Sequence, residues 1–155
     1  MPLRPFNISD TNLLNEWTGN AYNLFQFSGS FWSYPLSEIE LDFYQLAYPN
    51  RLLFIYEAEG KAIGFGELIE GEKDAPRLSR LIIAPAYRGQ GYGRQMMQAI
   101  ESKCHAESIL LFVLENNTRA RRSYENSGYV YVEQEPFSME FNDEQYPVLK
   151  MRKTL

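Results

Sequence analysis

The sequence predicts an α+β fold, a mixed sheet flanked by helices with elements in the order β-α-α-β-β-β-α-β-α-β-β. Three observations carry this reading. The strand-like runs "RLLFIYEAEG" and "KAIGFGELIEG" meet at Glu59-Gly60-Lys61 and read as an antiparallel hairpin. "SILLFVLE" is a continuous apolar run, as expected of a strand buried on both faces. Between them, Met96, Met97, Ile100 and Cys104 recur at helical spacing and give one helix an apolar side.

In chain order, "PLRPF" reads as an extended first strand, and Ser9 or Asp10 as the cap of a helix over "TNLLNEWTG". Residues 19 to 34 read as an aromatic loop with Tyr22, Phe25, Phe27, Phe31, Trp32 and Tyr34. "PLSEIELDFYQLAYPN" reads as a second helix, with Ser37 as a cap, Pro49 beyond its end, and Ile39, Phe43 and Leu46 along one face. After the hairpin comes "RLSRLIIAP", a strand stopped by Pro85. A short helix from about Thr118 to Ser127 is closed by Gly128, and "YVYVEQ" and "YPVLKMRKTL" end the chain as strands.

At 155 residues the chain fits a single domain, with 45% hydrophobic and 23% charged residues, as in a globular protein. A net charge of −5 argues against nucleic-acid binding. Cys104 is the only cysteine and His105 the only histidine, so neither an internal disulfide nor a zinc site is expected. "MPLRPFNISD" has no apolar signal region and no apolar run is long enough to span a bilayer, which predicts a cytoplasmic protein without a membrane partner.

"APAYRGQGYGRQMMQAIESK" places Gly89, Gly91 and Gly93 at a helix start, with Arg88 and Arg94 on either side. Such a turn exposes several backbone N–H groups at the positive end of a helix dipole, a site for phosphate oxygens. The other reading is a tight strand-to-helix connection. A dinucleotide fingerprint needs glycine at 94 or 96, where Arg94 and Met96 stand, and a P-loop starting at Gly89 also meets Arg94.

"RGQGYG" (Arg88 to Gly93) resembles the R/Q-x-x-G-x-G/A pyrophosphate-binding motif of the GNAT family of N-acetyltransferases. "NTRARRSYENSGY" (Asn117 to Tyr129) is similar to that family's second motif, N-x-x-A-x-x-x-Y-x-x-x-G-F, with Tyr129 in place of the final Phe. The resemblance covers nearly the whole chain. It implies the acyl-CoA N-acyltransferase fold, with a mostly antiparallel central sheet, and a single domain over residues 1–155. It also implies acetyl-CoA as cosubstrate, lying between two splayed strands. Leu81, Ile82 and Ile83 would then meet the pantetheine and the thioester. Arg88, Gly89, Gln90, Gly91, Tyr92, Gly93 and Arg94 would wrap the pyrophosphate. Asn117 would hold the pantetheine amide unless it is a plain helix cap, and Tyr124 would face the sulfur unless it is a core aromatic.

The implied reaction is direct attack of a primary amine, on a small molecule or a peptide terminus, upon the thioester. A lysine-like amine of pKa about 10.4 must first lose a proton, which costs about 4.6 kcal/mol at pH 7. Ribosomal-protein N-terminal acetyltransferases carry a Glu where this chain has Phe112, and histone-type members carry one in the stretch that here reads Leu78-Ser79-Arg80. Glu67 is the first candidate base, Glu115 the second, and water the third. Tyr124 is the candidate acid, and Phe31, Trp32 and Tyr34 are the candidate acceptor-groove residues. An acyl-CoA-sensing module without catalysis is the alternative function. A nucleic-acid module built on "RARR" (Arg119 to Arg122) is a further rival. The protein is expected to be a monomer or a homodimer.

Overall fold

Alternation along the strands decides which helices cover each side of the sheet. The computed structural model describes residues 2–155. Its strands are β1 (Leu3–Pro5), β2 (Arg51–Ala58), β3 (Lys61–Ile69), β4 (Arg77–Ile83), β5 (Ser108–Leu114), β6 (Val130–Phe141) and β7 (Glu144–Thr154). Its helices are α1 (Thr11–Thr18), α2 (Ala21–Ser28), α3 (Glu38–Ala47), α4 (Tyr92–Glu101) and α5 (Thr118–Asn126). All seven strands form one sheet in the order β1-β2-β3-β4-β5-β7-β6. Every neighbouring pair is antiparallel except β4 with β5.

On β2, Phe54 and Tyr56 enter the core shared with Met96, Met97 and Ile100 of α4. The alternate residues Leu53 and Ile55 enter the opposite core with Leu14 of α1, Leu24 of α2 and Leu41 of α3. The glycines of "GFGE" on β3 are a packing requirement of α4. A Cβ on Gly64 would lie 2.8 Å from Met96 Sδ, and one on Gly66 would lie 2.5 Å from Ile100 Cδ1. The β2–β3 hairpin turns at Glu59 and Gly60, both at positive φ, which matches the twist of the flanking strands.

Four sequence expectations need correction. Residues 21–28 form a helix, capped by Asn20, which accepts from the Asn23 N–H, and closed by Gly29. Aromatic residues on several sides of this short helix hide its period. Neither Ser9 nor Asp10 caps α1 with its side chain. Asn7 instead caps a 3₁₀ turn at Ile8–Asp10, and the Asp10 carboxylate accepts from the Asn7 N–H while pairing with Arg4 at 2.8 Å. On α3, Ile39, Phe43 and Leu46 do share a face, but it is the solvent face; Leu41 and Tyr44 are the buried residues. Cys104 lies beyond the end of α4 and is half-buried. No helix among the described residues is long and apolar enough to cross a membrane.

Candidate active site

One irregularity in β4 shapes both halves of the site. From Phe65↔Ile82 to Glu67↔Ser79, β3 advances two residues while β4 advances three, so β4 carries a bulge. Arg80 sits in it at φ 49°, a left-handed conformation that a long side chain adopts only when its surroundings enforce it. In an unbroken strand, Arg80 would point away from the face that Ser79 shares with Glu67. The bulge turns it onto Glu67. It also lies where β4 leaves β5: the parallel pairing consists of Arg77↔Leu110 and Leu78↔Leu111 and stops there. Beyond Leu78, β4 keeps β3 as its partner while β5 continues along β7, which opens a wedge.

The wedge leads to the glycine loop. Leu81, Ile82 and Ile83 are half-buried along its β4 side. Gly91 occupies the N-cap of α4 at φ 87°, and Gly89 has φ 74°. A Cβ on either would meet nothing within 4 Å, so both project toward open space. Among the described residues, none of the N–H groups from Gly89 to Arg94 has a backbone acceptor. Six consecutive donors with the α4 dipole behind them make a seat for an anion of diphosphate type. Arg94 is exposed beside it. Arg88 folds back, its Nε donating to Ile83 O at 2.9 Å, and Gln90 donates to Ala86 O at 3.2 Å. Burial and the nearby charge of Arg119 hold the Arg88 guanidinium below its ordinary pKa. Two arginines that repel one another beside a row of free donors suit a shared anion. Arg119 opens the "RARR" stretch on which the rival nucleic-acid reading was built.

Across the wedge, the Asn117 side chain caps α5 by accepting from the Ala120 N–H at 3.4 Å, a long contact. Tyr124 is half-buried and packs against Tyr129 with ring centres 6.4 Å apart. Its hydroxyl makes no hydrogen bond among the described residues, and burial raises its pKa to about 12. It therefore remains protonated throughout the neutral range. Tyr129, which replaces the usual Phe, is accommodated because its hydroxyl donates to the buried Glu101 at 2.7 Å.

Glu67 is 0% exposed, which excludes a solvated charge on a strand face. Its Oε1 pairs with Arg80 Nη1 at 2.7 Å, and its Oε2 accepts the Tyr44 hydroxyl proton. The same hydroxyl oxygen accepts from Arg51 Nη1 at 2.9 Å and from Arg80 Nη1 at 3.1 Å. Burial, followed by the Glu67 charge, raises the Tyr44 pKa to about 12. Phe31 and Trp32 join this cluster: the Arg80 guanidinium lies 5.5 Å from the Phe31 ring centre and 4.8 Å from that of Trp32. Arg51 is 4.4 Å from the Tyr48 ring. Tyr34 makes no ring contact or side-chain hydrogen bond with the cluster. Glu115 is exposed at the end of β5, its main-chain oxygen held by Arg121 at 2.8 Å, and it does not join the cluster. Sequence reasoning missed Tyr44, Arg51 and Arg80 as site residues. They come from three elements, and no linear spacing links them.

A family model described as an acetyltransferase (GNAT) domain matches residues 39–155. A UPF0039 protein of Schizosaccharomyces pombe is 34% identical over 79 residues, covering 50% of this chain and 53% of that protein. An uncharacterized N-acetyltransferase of Mycobacterium tuberculosis is 30% identical over 84 residues, covering 52% and 54%. The chain thus matches about half the length of these curated relatives. Among solved structures, spermidine N-acetyltransferase from Vibrio cholerae in complex with CoA and spermine superimposes with a TM-score of 0.76 at 24% identity, over 98% of this chain and 94% of that one. A Salmonella typhimurium protein solved with its cofactor acetyl-CoA gives 0.71 at 16% identity, over 99% and 92%. The family match spans most of the chain, and the wedge, the glycine loop and the α5 motif follow one another as the motif order requires. This chain belongs to the GNAT acetyltransferase family.

Proposed function

We propose that the protein transfers the acetyl group of acetyl-CoA to a primary amine by direct attack in a ternary complex. The observation that carries this reading is the wedge beyond Leu78 and Leu111, ending at the free N–H row of Gly89 to Arg94. The loop and the Arg88–Arg119 pair hold the pyrophosphate, the unpaired edge of Leu81–Ile83 meets the pantetheine and the thioester, and Asn117 offers its side-chain amide to the same arm. This assignment makes acetyl-CoA a substrate held by backbone far more than by side chains.

In the reaction, the neutral amine nitrogen forms a bond to the thioester carbon and the carbon–sulfur bond breaks. Backbone N–H groups of β4 stabilise the charge that develops on the carbonyl oxygen. Tyr124 hydrogen-bonds the departing sulfur; full proton transfer from a phenol of pKa about 12 to a thiolate of pKa about 8.5 is uphill, so donation rather than transfer is its role. The ammonium proton leaves the site to water. Glu67 acts as a positioning residue, because both its oxygens already hold Arg80 and Tyr44. The acceptor enters on the side of Phe31, Trp32 and Tyr44.

The test is acetyl-CoA-dependent release of free thiol with a panel of primary amines, and acetylation of the amine confirmed by mass. Thiol release that needs the amine supports the reading. Binding of acetyl-CoA with no amine-dependent release from any compound would turn the protein into a sensing module.

A further inference from the structure

The described residues leave three buried side-chain nitrogens without an acceptor: Trp32 Nε1, Arg77 Nε and Arg80 Nε. Two of the three, those of Trp32 and Arg80, belong to one contact within the cluster around Glu67. Both are donors, so what each lacks is an oxygen. A buried donor without an acceptor is costly, and natural proteins leave few of them unless a ligand completes the set.

Charge points the same way. Arg80 spends Nη1 on Glu67 and Tyr44, which leaves its Nε–Nη2 edge, one of the two edges that accept a carboxylate through paired hydrogen bonds. Arg51, tied to the same Tyr44 hydroxyl, makes no ion pair among the described residues. Two guanidinium groups therefore face a single carboxylate, and the cluster carries an excess positive charge. A polyamine entering here would add more positive charge to that excess. An amine that brings its own anion would neutralise it. Phe31, 51% exposed and lying 5.5 Å and 5.7 Å from the two guanidinium groups, is the side chain such a ligand displaces.

We infer that Arg51, Arg80 and the Trp32 indole N–H form an oxyanion subsite, and that the acceptor is a small amine bearing a carboxylate, of the amino-acid class. The inference rests on the acetyl-transfer reading and deepens it by naming the acceptor's second functional group. The bulge that opens the wedge thus also supplies the residue that selects the acceptor.

The experiment compares amines that differ by the carboxylate alone, L-phenylalanine with phenethylamine and L-leucine with isoamylamine, beside spermidine, at saturating acetyl-CoA. The carboxylate-bearing member is expected to have a kcat/KM at least about ten-fold higher, the effect of one charge-assisted hydrogen bond. Arg51→Gln should collapse that ratio toward one, mainly through KM, while acetyl-CoA affinity measured by calorimetry holds. Equal kcat/KM within each pair, or a preference for spermidine, overturns the subsite and leaves acetyl transfer standing. Absence of both acetyl-CoA binding and turnover overturns the acetyl-transfer reading and this inference with it. A thermal shift of the CoA-bound protein with millimolar L-phenylalanine reads the subsite without turnover. A shift that Arg51→Gln abolishes supports the subsite, and no shift, or the same shift in the variant, overturns it.

Discussion

Replacing Glu67 by Gln keeps the shape of the side chain and removes its charge beneath Arg80. The wild-type carboxylate is wholly buried, 2.7 Å from an arginine whose side chain is itself 8% exposed, so solvent cannot screen what is lost. Breaking a buried pair by removing one partner typically costs about 3–5 kcal/mol, because the surviving charge is stranded. Gln still offers Arg80 a neutral acceptor, and Arg80 keeps its contact with the Trp32 ring, which places the expected loss at the lower end, about 3 kcal/mol. In a chain of 155 residues that loss lowers Tm by roughly 6–12 °C. Urea unfolding followed by tryptophan fluorescence is the assay, since the Trp32 ring lies 4.8 Å from Arg80, the residue that loses its counter-charge. The partner experiment is the double variant Glu67→Gln, Arg80→Met, which removes the stranded charge as well. The double variant should lose less than the sum of the two single losses, by about 1–3 kcal/mol. A loss below about 1 kcal/mol for Glu67→Gln, or strict additivity in the cycle, would refute the idea that this pair organises the acceptor side. As a positioning residue, Glu67 should also leave the alkaline limb of the rate profile unmoved when replaced by Gln.

Three further perturbations reach other parts of the site. Gly91→Ala places a Cβ at φ 87°, so stability should fall by about 1 kcal/mol, while acetyl-CoA affinity measured by calorimetry falls at least about ten-fold as the Cβ enters the anion seat. Tyr124→Phe removes a hydroxyl that has no hydrogen-bond partner among the described residues, so the melting temperature should hold while kcat drops about 10²–10³-fold, the cost of one donor to the charge developing on sulfur, with little change in KM. Tyr44 and Tyr124 both have folded pKa values raised to about 12, above the ordinary tyrosine value near 10. The stability they carry is complete below about pH 10 and is lost as pH rises through about 12, which urea midpoints measured across that range will show.

The glycine loop at the start of α4 was legible in the sequence because its geometry is backbone geometry. Gly89 and Gly91 hold positive φ, which favours glycine, and that requirement is written as residue type in one short stretch. Asn117, the cap of α5, and Tyr124 within it stood out because one short motif carries both. The acceptor side was not legible. Tyr44 comes from α3, Arg51 from the start of β2 and Arg80 from a bulge in β4, and only the folded sheet brings them together. The bulge leaves no residue-type signal, because Arg80 is a non-glycine residue held at positive φ by its neighbours. The misread face of α3 has a related cause. Ile39, Phe43 and Leu46 make the more apolar stripe, yet the helix buries Leu41 and Tyr44, since Tyr44 is held down through its hydroxyl by Glu67. The missed helix α2 had its signals in Asn20 and in Gly19 and Gly29 at its two ends, not in its period.

The proposed function requires the wedge and its glycine loop to bind acetyl-CoA through the pyrophosphate. Calorimetric titration with acetyl-CoA and, separately, with S-acetylpantetheine, which lacks every phosphate, tests it most directly. Micromolar binding of acetyl-CoA and at least about hundred-fold weaker binding of S-acetylpantetheine is the result the geometry predicts, as several charge-assisted hydrogen bonds are removed together. Equal affinity for the two compounds, or no binding of acetyl-CoA, would contradict it.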